Sequence, residues 1–286
     1  MAPRLTISPL LQVLLVALLA AALAAPLAAA PKADLWPRWE AHDPEASATI
    51  DHGAWGGFLE RNLVRGEDGV NRIAYGAVTG EDRALLRAYL ERLAAVPIST
   101  FARPEQMAYW INLYNALTVR VVLVHHPVAS IRDIRISPGW FSVGPWGKAL
   151  VTVEGEALSL DDIEHRILRP IWRDPQIHYA LNCAAVGCPN LQPEPFEAGR
   201  LDEQLSAAGT EFVNGGRALW IEGRSLRVSS IYHWFREDFG SDDRAVIAHL
   251  RRFAHPELAA RLEGMERIAG HRYDWRLNDV ADARGS

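Results

Sequence analysis

The stretch RPEQMAYWINLYNALTVRVVLVHHP (103–127) constrains this chain more than any other. Pro104 suits the first turn of a helix, and Pro127 lies past its end. The roughly 20 residues between them would make a helix about 30 Å long. Apolar side chains fall on nearly its whole circumference. Such a helix is buried on most sides, so the remaining chain must be built around it. With 286 residues, 49% hydrophobic and 23% charged, the chain can form that core without a disulfide or a metal. Asn112 and Asn115 stand one turn apart inside the helix. A buried amide without partners costs about 1–3 kcal/mol. The two either bond neighbouring loop backbone or line a site.

The surrounding elements are also legible. TGEDRALLRAYLERLAAVP (79–97) reads as a helix, with Leu85, Leu86, Tyr89, Leu90 and Leu93 at helical spacing. Thr79 caps it, Asp82 follows three residues on, and Pro97 closes it. VEGEALSLDDIEH (from Val153) and IEGRSLRVSSIYH (from Ile221) each read as strand, Glu-Gly turn, strand and capped helix. IHYAL (177–181) suits an inner strand, LDEQLSAAGTEFVN and DDRAVIAHLRRFA suit helices, and YDWRLND suits a final strand. The fold expected is α+β: a single domain of helices packed on a small, mostly antiparallel sheet.

The first 30 residues form a separate unit. An early arginine, an apolar run from Leu10 to Ala25 and a small-residue stretch follow the order of a secretory signal peptide, with cleavage after Ala24, Ala29 or Ala30. Residues 31–78 read as an irregular, Trp-rich segment packed on the main domain of residues 79–286. Losing residues 1–30 removes Arg4 and moves the net charge from −5 to −6. That balance speaks against a nucleic-acid partner. The alternative is an uncleaved membrane anchor, although the apolar run is short for a span of about 20 residues; a periplasmic or secreted protein, free of the membrane once the leader is gone, is the expected placement.

The only two cysteines lie in LNCAAVGCPN (181–190). Three readings stay open. Half of a metal site would need two further ligands, such as His165 and His178, and no motif calls for a metal or other cofactor. A structural disulfide suits an oxidising compartment, although a six-residue loop contributes only about 2 kcal/mol. A catalytic thiol needs a base or a positive dipole to lower its pKa. On that reading the Gly-Cys-Pro turn presents Cys188 at the start of a short helix, and Cys183 is the buried partner. The candidate bases are His165, His178 and His233. On the helical wheel His165 lies about 200° from Ile163, which places it on the exposed face.

Ten tryptophans are many for this length. Trp36, Trp39, Trp55, Trp140, Trp146 and Trp172 fall in segments read as loops or termini. Exposed, they would bind sugars or cell-wall fragments; buried, they would fill gaps in a loop-rich fold.

The blocks YWINLYNALTV, SIRDI, SLDDIEHRILRP, DPQIHYALNCAAVGCPNL, LDEQL and WFREDF, between about Thr79 and Glu237, resemble the domain of unknown function 547 family. The resemblance implies that Asn112, Asn115, Glu164, His165, His178, Cys183 and Cys188 fall on motif positions. It raises Glu164 and His165 as site residues, lowers His233, and supplies no activity. Two functions follow as expectations. One is an exported cysteine-dependent hydrolase or acyltransferase of papain- or transglutaminase-like character. Cys188 would be its nucleophile, His165 or else His178 the base, and Glu164 or Asn112 the orienting group. Its substrate would be a small molecule, a peptide or a cell-wall fragment. The other is a non-catalytic periplasmic binding or assembly module in which Cys183–Cys188 is structural and Asn115 merely lines or supports the site.

Overall fold

A computed structural model describes residues 31–139 and 142–280. The expected signal peptide and Trp140 lie outside the described residues. Helix α1 (Gly53–Asn62) leads into the antiparallel hairpin β1 (Leu63–Arg65) and β2 (Asn71–Ile73). Residues 31–78 thus carry regular elements, and their Trp39, Trp55 and Phe58 sit in the main core. Helix α2 (Gly80–Ala94) begins where Thr79 Oγ1 accepts from the Asp82 N–H. Its inward face holds Leu86, Tyr89, Leu90 and Leu93, while Leu85 is turned out and 42% exposed.

Helix α3 (Arg103–His125) is the expected central helix. By length and composition it could cross a membrane, but 89% of its most apolar 18-residue window is buried inside the protein. Trp110, Tyr109, Leu113 and Tyr114 are at most 1% exposed. Burying each such side chain is worth about 2–3 kcal/mol before entropy costs. The other helices collect around this one because nothing else can cover all of its faces.

The first hairpin-and-helix unit follows, with β3 (Val151–Val153) antiparallel to β4 (Glu156–Leu158). Glu154 and Gly155 make the turn, both at positive φ (47° and 87°). Ser159 and Asp162 then cap helix α4 reciprocally: the Asp162 N–H reaches Ser159 Oγ, and the Ser159 N–H reaches Asp162 Oδ2. Helix α4 is not regular. Asp162–Leu168 is wound as a π-helix, and Arg169–Trp172 returns to α.

Two expected strands are corrected. Residues 177–181 contain the helical turn α5 (Ile177–Ala180), not a strand. Asp174 Oδ1 accepts from the Gln176 N–H and starts that turn. All four residues of α5 are buried, so an apolar run this short carries no period to tell the two apart. YDWRLND forms only isolated bridges at Leu277 and Asp279.

Helix α6 (Leu201–Asn214) follows. The second unit comprises β5 (Leu219–Glu222) antiparallel to β6 (Ser225–Ser229), then the helical turns α7 (Ile231–Trp234) and α8 (Arg236–Phe239). Helices α9 (Asp243–Phe253) and α10 (Pro256–Leu262) precede β7 (Ile268–Arg272), which pairs parallel with β6. The architecture is mixed helix and sheet, as expected, but the sheet is divided into three small ones. Two hydrophobic clusters result, one around α3 and one between α6, α9 and β5–β7. Helix α6 serves both, with Leu201 and Leu205 in the first and Ala208, Phe212 and Val213 in the second.

The tryptophans fill space. Trp39 and Trp55 are at most 2% exposed. Trp36, Trp146 and Trp172 are partly buried and packed against the main core.

Candidate functional site

The asparagines of α3 hold two stretches of loop backbone, one leading into the cysteine segment and one following it. Asn112 Nδ2 donates to Phe196 O at 2.8 Å, and its Oδ1 accepts from the Phe196 N–H at 3.0 Å. Asn115 likewise spans Ala180 O and the Asn182 N–H, each at 2.9 Å. Asn182 continues inward, donating to Pro189 O and accepting from the Ala184 N–H. Both candidate amides are therefore fully engaged with backbone, and Asn112 orients no base. Asn112→Ala would strand two buried backbone groups of Phe196. The expected cost is about 2 kcal/mol, read as a lower denaturation midpoint with unchanged chemistry in the surviving folded protein. A fall in activity at full stability would return Asn112 to a catalytic role.

Cys183 and Cys188 form a disulfide, with sulfurs 2.14 Å apart. Their expected exposures are reversed. Cys188 is 2% exposed, and Cys183 is the partly exposed member. The reason is packing over Cys188. The Tyr273 hydroxyl donates to Cys188 Sγ at 3.0 Å and also lies 3.0 Å from Cys183 Sγ. Arg217 Nη1 donates to Cys188 O at 2.5 Å and to Val186 O at 3.0 Å. Pro189 opens no helix, and Gly187 serves close packing. A Cβ there would come within 2.8 Å of the Asp274 nitrogen. The loop amides are also occupied: Val186 N–H by Arg276 O, Gly187 N–H by Asp274 O and Cys188 N–H by Ala185 O. The Cys183 N–H points at Cys188 Sγ, 2.9 Å away. Ala184 between them has φ 58°, a left-handed conformation unusual for a residue with a Cβ.

Glu164, His165 and His178 come together in a buried cluster. His165, expected on the exposed face, is 5% exposed. His165 does lie opposite Ile163, but that face is covered as well: Phe235 packs over the ring at 5.8 Å and Arg169 bonds its Nδ1. Arg169 organises the group. Its Nε donates to Asp238 Oδ2 at 2.6 Å, its Nη2 to Glu237 Oε1 at 3.0 Å, and its Nη1 to His165 Nδ1 at 3.2 Å. With Nδ1 accepting, His165 carries its proton on Nε2, which faces Asp161 Oδ1 at 3.7 Å. His178 donates from Nε2 to Asp238 Oδ2 at 2.6 Å and stacks on Phe235 at 4.3 Å. Tyr114 donates to Glu164 Oε2 at 3.1 Å.

Burial pulls both imidazoles toward the neutral form, His165 to about 3 with help from the Arg169 charge. Burial raises Glu164 to about 7 and Asp161 to about 6. Burial alone would also raise Asp238, but hydrogen bonds from His178 and Arg169 overcome it and hold the carboxyl at about 2. The cluster thus combines an anchored carboxylate, two neutral imidazoles and two carboxyls that titrate near neutral pH.

Cluster and disulfide are neighbours through Tyr273. Burial raises its hydroxyl pKa, and the Glu164 charge is near enough to raise it further. Among the described residues, however, no imidazole hydrogen-bonds either sulfur. The pairing of Cys188 with His165 or His178 as base is therefore absent. No group of three His, Cys, Asp or Glu side chains among the described residues is arranged to hold a metal ion.

Arg169, Asp161, Asp238, Tyr114 and Tyr273 join the site without being among the residues expected from sequence. Arg169 and Asp161 carried a signal, each lying four residues from His165 on one helix. His233, the third candidate base, is exposed and stacks on His271 at 4.0 Å, apart from the sulfur contacts.

Residues 98–213 match the family model described as "Protein of unknown function, DUF547". This segment resembles the domain of unknown function 547 family. The DUF547 match contains all seven candidate residues from Asn112 to Cys188, while Asp238 and Tyr273 lie beyond it. No curated protein and no solved structure matches the chain.

Proposed function

We propose that the chain is a cysteine-dependent enzyme whose reaction is thiol–disulfide exchange at Cys183–Cys188. The carrying observation is the convergence of two donors on one sulfur: the Cys183 N–H and the Tyr273 O–H both point at Cys188 Sγ, at 2.9 and 3.0 Å. A substrate thiolate attacks the partly exposed Cys183 Sγ. A new sulfur–sulfur bond forms to Cys183, the Cys183–Cys188 bond breaks, and its electron pair stays on Cys188 as a thiolate beneath the two donors. A better stabilised leaving thiolate leaves faster. Arg217, bonded to Cys188 O, adds a positive charge beside it. A second substrate thiolate then attacks the substrate sulfur of the mixed disulfide. That releases oxidised substrate and leaves the chain with two thiols.

A hydrolase or acyltransferase acting after reduction is the second reading. Its supporting observation is that burial raises Glu164 to about 7, so this carboxyl, whose charge is near enough to act on Tyr273, still carries a proton near neutral pH, as a general acid requires. It lacks a base at the sulfur. The leader-like order of residues 1–30 and the disulfide itself support a periplasmic or secreted placement.

Thiol trapping of the native protein tests the proposal. Dithiothreitol should reduce the disulfide without denaturant. In Cys183→Ser, the Cys188 thiol should titrate below the usual value of about 8.5. Tyr273→Phe should raise that value and slow exchange about tenfold. A disulfide that resists reduction until the chain unfolds would sink the proposal and favour a structural bond in a binding or assembly module.

A further inference from the structure

A cleft of about 340 Å³ adjoins the disulfide loop. Its lining includes Val186 and Gly187 from the loop, Tyr273, which touches both sulfurs, and Arg217, Trp220 and Arg272 from strands β5 and β7 and the turn before β5. Two arginines therefore line one small cavity on a chain whose net charge is −5. The carboxylate in the lining, Asp274, is already engaged by Arg276 at 2.6 Å. Arg272 is exposed, and its Cζ lies 3.7 Å from the centroid of the Trp220 ring, a cation–π contact that holds the charge at the cleft. Arg217 has a buried Nε with no hydrogen-bond partner. Its Nη1 bonds to Val186 O and Cys188 O fix the Arg217 charge against the disulfide loop. The volume is at the small end for ligand pockets, which suits a small molecule rather than a folded partner.

From these features we propose that the cleft binds the anionic group of a small carboxylate-bearing thiol, whose sulfur then attacks Cys183. This rests on the exchange reaction proposed above and names its substrate class. Arg272 supplies the exposed charge, and Arg217 supplies the charge nearest the loop. Trp220 gives an apolar wall for the carbon skeleton. Cationic thiols are disfavoured by the same two arginines, and neutral thiols gain nothing from them.

The test compares reduction of the native disulfide by 3-mercaptopropionate, 2-mercaptoethanol and cysteamine. Rates are expressed per thiolate and corrected for thiol basicity. The anionic thiol should react about tenfold faster than the cationic one at about 20 mM salt, and the preference should shrink at about 500 mM. Arg272→Gln, an exposed substitution that keeps the fold, should cut the preference to about threefold because Arg217 remains, and Arg272→Glu should abolish it. Equal rates for all three thiols with the native protein would overturn the substrate class while leaving exchange standing. Failure of all three to reduce the folded protein would overturn exchange and this inference together. A preference that survives Arg272→Glu would also overturn it.

Discussion

Arg169→Met is expected to destabilise the protein by about 3–5 kcal/mol, the usual cost of removing one partner from a buried charge cluster. The Arg169 side chain is 1% exposed and divides its donors among Asp238, Glu237 and His165. Methionine fills similar volume, so the loss is electrostatic and not a cavity. Without the guanidinium, Asp238 keeps only His178, and His165 Nδ1 becomes an unanswered acceptor. Urea denaturation at neutral pH reads the effect as a lowered midpoint at constant slope. Asp238→Asn in the Arg169→Met background should recover part of the loss, because the stranded carboxylate is then gone. A change under about 1 kcal/mol, or strict additivity in the cycle, would show that the cluster does not depend on Arg169. Asp238 also adds to the acid side of the stability profile. Its carboxyl is held at about 2 in the folded chain against 3.8 ordinarily. The stability it contributes is complete above pH 3.8 and is lost as pH falls toward 2.

Glu164→Gln is expected to stabilise the protein at pH 8 and to leave it nearly unchanged at pH 4.5. Burial raises the Glu164 carboxyl from 4.5 to about 7, against the opposing pull of Arg169 and the Tyr114 hydrogen bond. The folded chain therefore keeps a proton that the unfolded chain releases. Its contribution is complete below pH 4.5 and falls away as pH rises through 7, by up to about 3 kcal/mol. Glutamine stays neutral and still accepts from Tyr114, so the alkaline loss disappears. His165 works in the other direction. Burial holds it at about 3, so the unfolded chain takes up its proton first and stability declines as pH falls from 6.5 toward 3. The wild-type chain should be most stable between these two declines, and the variant should stay stable above that range. Denaturation curves for both proteins at pH 4.5 and pH 8 decide the matter. An equal offset at the two pH values would mean that Glu164 is not held protonated.

Local chemistry made much of the fold legible. Helix α3 could be read because its apolar residues leave no face for water. Helix α2 announced itself through Thr79 and Asp82, and the two hairpins through their Glu-Gly turns. The strand assigned to residues 177–181 was lost because every residue of α5 is buried, which erases any alternation. The candidate residues were named, but their relations were not. Glu164, His165 and His178 do meet, yet Phe235, which covers His165 on the face a helical wheel leaves to solvent, lies 70 residues further along the chain. Asp238 and Tyr273 arrive from positions 60 and 85 residues beyond His178 and Cys188. Such approaches depend on the tertiary fold. The cysteines were ranked by their neighbours, Gly187 and Pro189. Their exposure is decided by Tyr273 and Arg217, which lie far along the chain.

A π-turn is an α-helix into which one residue has been inserted. In α4 the insertion falls within Asp162–Leu168 and carries Glu164 and His165 inside it, with Arg169 just after. The spelling of that helix and its winding are therefore separate properties. A related chain one residue shorter in this turn could keep the letters Glu-His and the arginine, yet point them in different directions. Counting identical letters would score such a chain as equivalent, although the meeting of carboxyl, imidazole and guanidinium would be gone. Length between Ser159 and Arg169 is thus as informative a character for grouping relatives of this protein as the residues themselves.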